Sequence, residues 1–203
     1  MRENRKYKFA SLSIFSLIII FLNLTVELSY GEINVWTSFL KNTSMENYIL
    51  CRDEVILSLE DLNEWQGSPT YKNLLSNDEN FGEFIRMVRK GNRYSIALAF
   101  ELYPLTYKMG ARNEKLTISL GGLILVDPEF FLQNLEKQKQ FITGNYLNSL
   151  LAMYGDAYVD RNEKKKDLTN KRIESLRKVD NPNLQEIKIK CINILENYMS
   201  KLL

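Results

Sequence analysis

The chain has 203 residues, 27 Lys and Arg against 25 Asp and Glu, two cysteines and no histidine. The absence of histidine excludes Ser-His and Cys-His nucleophilic pairs, and with them His-ligated zinc, haem and non-haem iron. Two cysteines do not make a structural zinc site, so no metal and no cofactor is expected.

Residues 1–31 read as a secretory signal. Arg2, Arg5, Lys6 and Lys8 form a basic start, Phe9 to Val26 is nearly unbroken apolar sequence, and Ser29-Tyr30-Gly31 offers the small residues a signal peptidase needs. The alternative is an uncleaved signal anchor, since eighteen apolar residues can just span a bilayer. The expected location is periplasmic or secreted, or signal-anchored if cleavage fails. No later segment is long and apolar enough for stable membrane insertion. Four basic and two acidic residues fall in the signal, which leaves 23 of each sign in residues 32–203. A formally neutral chain has no overall field to attract nucleic acid. Its 172 residues suit one domain with a sizeable core.

The elements follow as short helices. Residues 45–62 place Met45, Tyr48, Val55, Leu59 and Leu62 at helical spacing, with Gly67 as the exit. Ser68-Pro69 reads as an N-cap followed by proline in the first turn. Ser76-Asn77-Asp78-Glu79 fits a capping box ahead of Phe81, Phe84, Ile85 and Val88, and Gly91 suits a left-handed cap. Tyr94 to Leu102 is apolar nearly all round, as in a helix buried within a domain, and Pro104 is expected to end it. In residues 115–128, KLTISLGGLILVDP, a hairpin around Gly121-Gly122 competes with a helix. The helix is preferred because Leu123 to Val126 does not alternate and no partner strand is evident. Both glycines would then permit close approach of a neighbouring helix, and Asp127-Pro128 would cap the next one. Asp160 to Val179 is charged, with Lys164-Lys165-Lys166 in a row, and reads as a solvated helix or a long connection rather than a basic docking surface. Asn181-Pro182 opens a last helix facing inward through Leu184, Ile187, Cys191, Ile194, Leu195 and Tyr198.

The expected fold is therefore all-α. Helix pairs 78–90 with 92–103 and 112–126 with 128–139 start 34 residues apart, the spacing of stacked helical repeats. Ala111-Arg112-Asn113-Glu114-Lys115-Leu116 through Leu120-Gly121-Gly122-Leu123, then Asp127-Pro128-Glu129-Phe130-Phe131-Leu132, resembles helical units of uncharacterised secreted bacterial proteins that are similar to HEAT-like helix pairs. The resemblance covers residues 90–140. It implies a short stack or irregular bundle of antiparallel helix pairs and transfers no functional residue.

Cys51 and Cys191 each fall on the apolar side of a predicted helix. A bridge between them would close a loop of about 140 residues, worth up to ~5 kcal/mol by loop entropy. Two buried free thiols are the alternative.

Carboxylate chemistry is what remains for catalysis. Glu101 lies on an otherwise apolar helix, where burial would raise its pKa towards that of a general acid. Asp127 or Glu129 would supply a second carboxylate, with Tyr103 and Tyr107 lining a cleft and Arg112 nearby. The structural alternative pairs Glu101 with Arg86, Arg89 or Arg112. Trp36, Phe39, Trp65, Tyr71, Tyr103 and Tyr107 are candidates for a sugar- or peptide-stacking surface, against a simple packing role. Asn42-Thr43-Ser44 is a glycosylation acceptor only in a host with an endoplasmic reticulum. The leading expectation is an exported, non-catalytic helical protein that binds another protein of the cell envelope as an adaptor, inhibitor or immunity-type partner. An envelope enzyme acting on glycan or peptide through Glu101 is one alternative, and a small-ligand carrier is another.

Overall fold

The computed structural model describes residues 34–60, 65–155 and 160–202, and among them every regular element is helical. The expected signal at residues 1–31 lies outside the described residues, as do Leu62 and the side chain of Trp65.

Helix α1 (Val35–Lys41) buries Trp36 and Phe39, and α2 (Met45–Glu60) follows after a turn in which Ser44 Oγ accepts from the Asn47 amide at 3.3 Å. The Ser68 hydroxyl caps the next short helical stretch by accepting from Tyr71 N at 3.2 Å, and that stretch widens into a π-turn at Tyr71–Leu75. Helix α3 (Asp78–Arg89) buries Phe81, Phe84, Ile85 and Val88 as their spacing predicts. Its cap is Asn77, whose side chain accepts from the Asn80 amide at 3.0 Å, one residue beyond the expected Ser76. Gly91 (φ 82°) then makes the left-handed exit.

Helix α4 (Arg93–Thr106) is buried along most of its length. It runs through Pro104 instead of ending there. A proline forfeits one helical hydrogen bond, but here the last turn is held by burial of Tyr103, Leu105 and Thr106. Residues 111–126 form one continuous helix, α5 (Ala111–Val126), which settles the hairpin question. Of its two glycines only Gly121 is a contact: an added Cβ would lie 2.6 Å from the Leu150 carbonyl oxygen, whereas one on Gly122 would meet nothing within 4 Å. Asp127 caps α6 (Pro128–Lys137) by accepting from Phe130 N at 3.0 Å. Then come α7 (Gly144–Ala152), α8 (Asn162–Arg177) and α9 (Gln185–Ser200).

Val35–Leu203 cluster as one compact unit. Helices α4 and α5 lie side by side at its centre. On one flank α2 and α3 pack on α4, and α1 packs on both of them; on the other α7 and α8 pack on α5, and α9 packs on α6, α7 and α8. The charged segment before Val179 is thus a helix, and it turns Thr169, Arg172, Ile173 and Leu176 inward.

The cysteines are not bridged. Cys51 and Cys191 are separate buried thiols. The physical reason is their placement: α2 packs on α1 and α4, and α9 on the helices of the opposite flank. Cys51 instead donates to the Val35 carbonyl at 3.5 Å. Burial pushes both thiols up, Cys191 to about 12.

Candidate functional site

Helix α2 is the least conventional element, because it is apolar on more than its covered side. Cys51, Val55 and Ser58 face the interior, and Tyr48 stacks on Tyr94 with ring centroids 5.3 Å apart. On the outer side Met45, Ile49, Leu50 and Leu57 are 51%, 47%, 47% and 65% exposed. Met45 was expected inward, so that expectation is corrected. At 100° per residue the outer face has an internal order. Glu46, Asp53 and Glu60 recur every seven residues as an acidic ridge. Met45, Ile49 and Ile56 lie along one side of it, and Leu50 and Leu57 along the other.

Beside this face a pocket of about 480 Å³ opens between α2, α4 and the connection after α6. Arg52, Ile56, Leu59, Glu101, Lys137 and Phe141 are among its lining residues. Glu101 is only 9% exposed, and its Oε1 accepts from Arg52 Nε at 3.1 Å. Its Oε2 is sealed and meets no donor among the described residues. Burial raises the Glu101 carboxyl above its ordinary 4.5, and the hydrogen bond and charge of Arg52 only partly oppose this. The expected partners are engaged elsewhere: Arg86 with Glu83, Arg89 with Ser119 Oγ at 3.0 Å, and Arg112 with Asp78 at 2.6 Å.

The other sequence-predicted residues are dispersed. Asp127 is a helix cap that also meets Arg93 at 3.5 Å, and Glu129 accepts from Asn181 Nδ2 at 2.9 Å. Neither lines the Glu101 pocket. Tyr103 is wholly buried, donating to the Tyr146 carbonyl at 3.1 Å while Thr117 Oγ1 lies 3.4 Å from its hydroxyl. Tyr107 is 42% exposed, its ring centroid 4.2 Å from that of Tyr146. Arg112 belongs to a different corner, where it also donates to the Ser76 carbonyl and lies over the Phe81 ring. The proposed stacking surface does not form from Trp36, Phe39 and Tyr103, because all three are core; Trp36 packs edge-on against Phe39 and Phe84.

Sequence reasoning missed Arg52, whose pairing with Glu101 spans 49 positions. It also missed a shallow groove of about 500 Å³ beside α7 and α9 that includes Asn148, Tyr154, Lys165 and Tyr198. Beneath that groove the buried Arg172 guanidinium lies 4.3 Å from the Tyr154 ring centroid and donates to the Leu151 carbonyl.

Among the described residues there is no cluster of three potential metal ligands, and no helix is long and apolar enough to cross a membrane. No protein-family model, curated protein or solved structure matches the chain.

Proposed function

We propose that this is an exported, non-catalytic helical scaffold that binds another protein of the cell envelope through the outer face of α2. The observation that carries the reading is the set of four large apolar side chains, Met45, Ile49, Leu50 and Leu57, each about half exposed or more on one helix. Exposed large apolar side chains grouped on one helix face are a mark of protein interaction, and here they form two strips divided by the acidic ridge. The partner that fits is an amphipathic helix carrying basic residues, whose Lys or Arg would meet Glu46, Asp53 and Glu60 while its apolar side chains cover Leu50 and Leu57. A second copy fits less well, because two such faces together would set acidic ridge against acidic ridge. Adaptor, inhibitor and immunity-type roles all use such a surface. Export is supported by residues 1–31, and a HEAT-like stacking of the helix pairs would suit a surface-presenting scaffold.

The catalytic alternative is weaker. Glu101 Oε1 already accepts from Arg52 and Oε2 is sealed, so neither oxygen is placed to hand a proton to a substrate.

Site-specific photocrosslinking in the native host tests the proposal. A crosslinker at Leu50 or Leu57 should give one discrete heterologous adduct, lost when Asp53 and Glu60 are changed to Lys. Crosslinkers at the exposed Lys190 on α9 should not give it. A self-adduct would establish a homodimer instead, and equal adduct patterns at Leu57 and Lys190 would remove the reading.

A further inference from the structure

We propose that the pocket beside Arg52 binds a small amphiphilic monocarboxylate. The guanidinium of Arg52 is held by one edge: Nε donates to Glu101 Oε1 at 3.1 Å, and no other hydrogen bond or ion pair of Arg52 occurs among the described residues. That leaves the edge formed by its two terminal nitrogens open. Two parallel N–H donors in one plane match a carboxylate bidentately, which a lysine ammonium cannot do. Glu101 is a positioning residue here. Buried and fixed on α4, it sets the guanidinium from beneath and leaves the fork to the ligand.

The remaining lining settles the ligand class. Lys137 is exposed at the same pocket with no ion pair among the described residues, and it adds a second positive charge. Ile56, Leu59 and Phe141 supply an apolar wall, with Phe141 42% exposed and so open to cover. A cationic ligand would meet two positive side chains. Of the two carboxylates it could seek, Glu101 has one oxygen engaged and the other sealed, which leaves only Glu60 at the rim. A neutral apolar molecule would leave the fork without a partner. An anion joined to a short hydrocarbon body satisfies both halves of the pocket. This inference does not rest on the partner-binding reading, although the pocket and the outer face of α2 share Ile56 and Glu60.

The test is titration calorimetry of the chain, residues 32–203, with sodium octanoate, octan-1-ol, octylammonium and sodium acetate. Octanoate should bind saturably at one site. Octan-1-ol, which lacks the charge-assisted pair, should bind about tenfold more weakly or worse. Acetate, lacking the apolar body, should be weaker again, and octylammonium should not compete. Arg52→Gln should cost octanoate about tenfold or more, Arg52→Lys should recover only part of it, and both should leave octan-1-ol unchanged. Arg52 is 47% exposed but is the partner of the buried Glu101, so a circular dichroism melt checks that each variant folds. If they do not fold, Lys137→Gln and the comparison of the four wild-type ligands carry the same decision. Equal affinity for octanoate and octan-1-ol, or no saturable binding of octanoate, would overturn the proposal. Unchanged octanoate affinity in a folded Arg52→Gln protein would do so too.

Discussion

Gly121 and Gly122 stand next to each other in α5, and alanine is expected to act in opposite directions at the two positions. In an open helix interior, glycine to alanine stabilises by about 1 kcal/mol. Gly122 meets that condition, since a Cβ there has nothing within 4 Å. Gly121 does not. Its added Cβ would sit 2.6 Å from the Leu150 carbonyl oxygen, while ordinary contact begins near 3.4 Å, so α7 would have to retreat by about 0.8 Å. A backbone carbonyl cannot swing aside as the end of a side chain can. The same Cβ would stand 3.1 Å from Nη2 of Arg172, a buried cation held by the Leu151 carbonyl and the Tyr154 ring. Overpacking costs about 1–3 kcal/mol, and weakening a hydrogen bond to a buried charge adds to this. After the propensity gain, Gly121→Ala should be less stable than wild type by about 2 kcal/mol, and Gly122→Ala more stable by up to about 1 kcal/mol. For a chain of this size, the two melting temperatures should lie roughly 6–12 °C apart on either side of wild type. Urea and thermal unfolding followed by circular dichroism measure both. Shifts of the same sign in the two variants would show that the α5–α7 contact is not as tight as the geometry states.

Three further outcomes follow from individual side chains. The Glu101 carboxyl is raised above 4.5 in the fold, so its ionisation destabilises the native state. The penalty is absent below the unfolded pKa and grows as pH rises through the folded one. Glu101→Gln does not titrate, so it should gain stability relative to wild type between about pH 4 and pH 8 in urea unfolding; a level difference across that range would contradict the assignment. The two thiols are buried and pushed up, so iodoacetamide should spare both in native protein, then add two groups on unfolding without reductant. Two additions that need reductant would establish a bridge. Asp127→Ala removes the α6 cap and the Arg93 pair and should cost about 1 kcal/mol by urea unfolding, whereas Asp127→Asn, which can still cap, should recover most of it.

What could be read in the sequence was what local chemistry decides. The four apolar residues of α3 at helical spacing are buried, Asp127 caps α6, and the all-round apolar α4 is central. The boundary at Pro104 was misplaced because a propensity rule was applied to a turn that is held by tertiary burial. Helices α1 and α7 escaped notice because they are only seven and nine residues long, too short for a clear period. The Arg52–Glu101 pair was out of reach for a different reason. It depends on which side of α2 turns towards α4, and a helix apolar on several sides does not rank them. The same ambiguity put Met45 inside when it is 51% exposed.

That ambiguity in α2 also determines how its two proposed sites relate. At 100° per residue, Arg52 falls at the border between the covered side, with Cys51 and Val55, and the outer side, with Met45 and Ile56. Ile56 and Glu60 belong to both the pocket lining and the outer face, so the two sites touch. Leu50 and Leu57 lie on the far side of the acidic ridge and do not line the pocket. Leu57→Glu should therefore abolish the heterologous crosslink from Leu50 and leave octanoate affinity within about twofold, since surface changes away from a site have small effects. Arg52→Gln should do the reverse. If either single change removed both activities, the pocket and the face would be one composite site, and the carboxylate would have to be a chemical group of the docked partner itself.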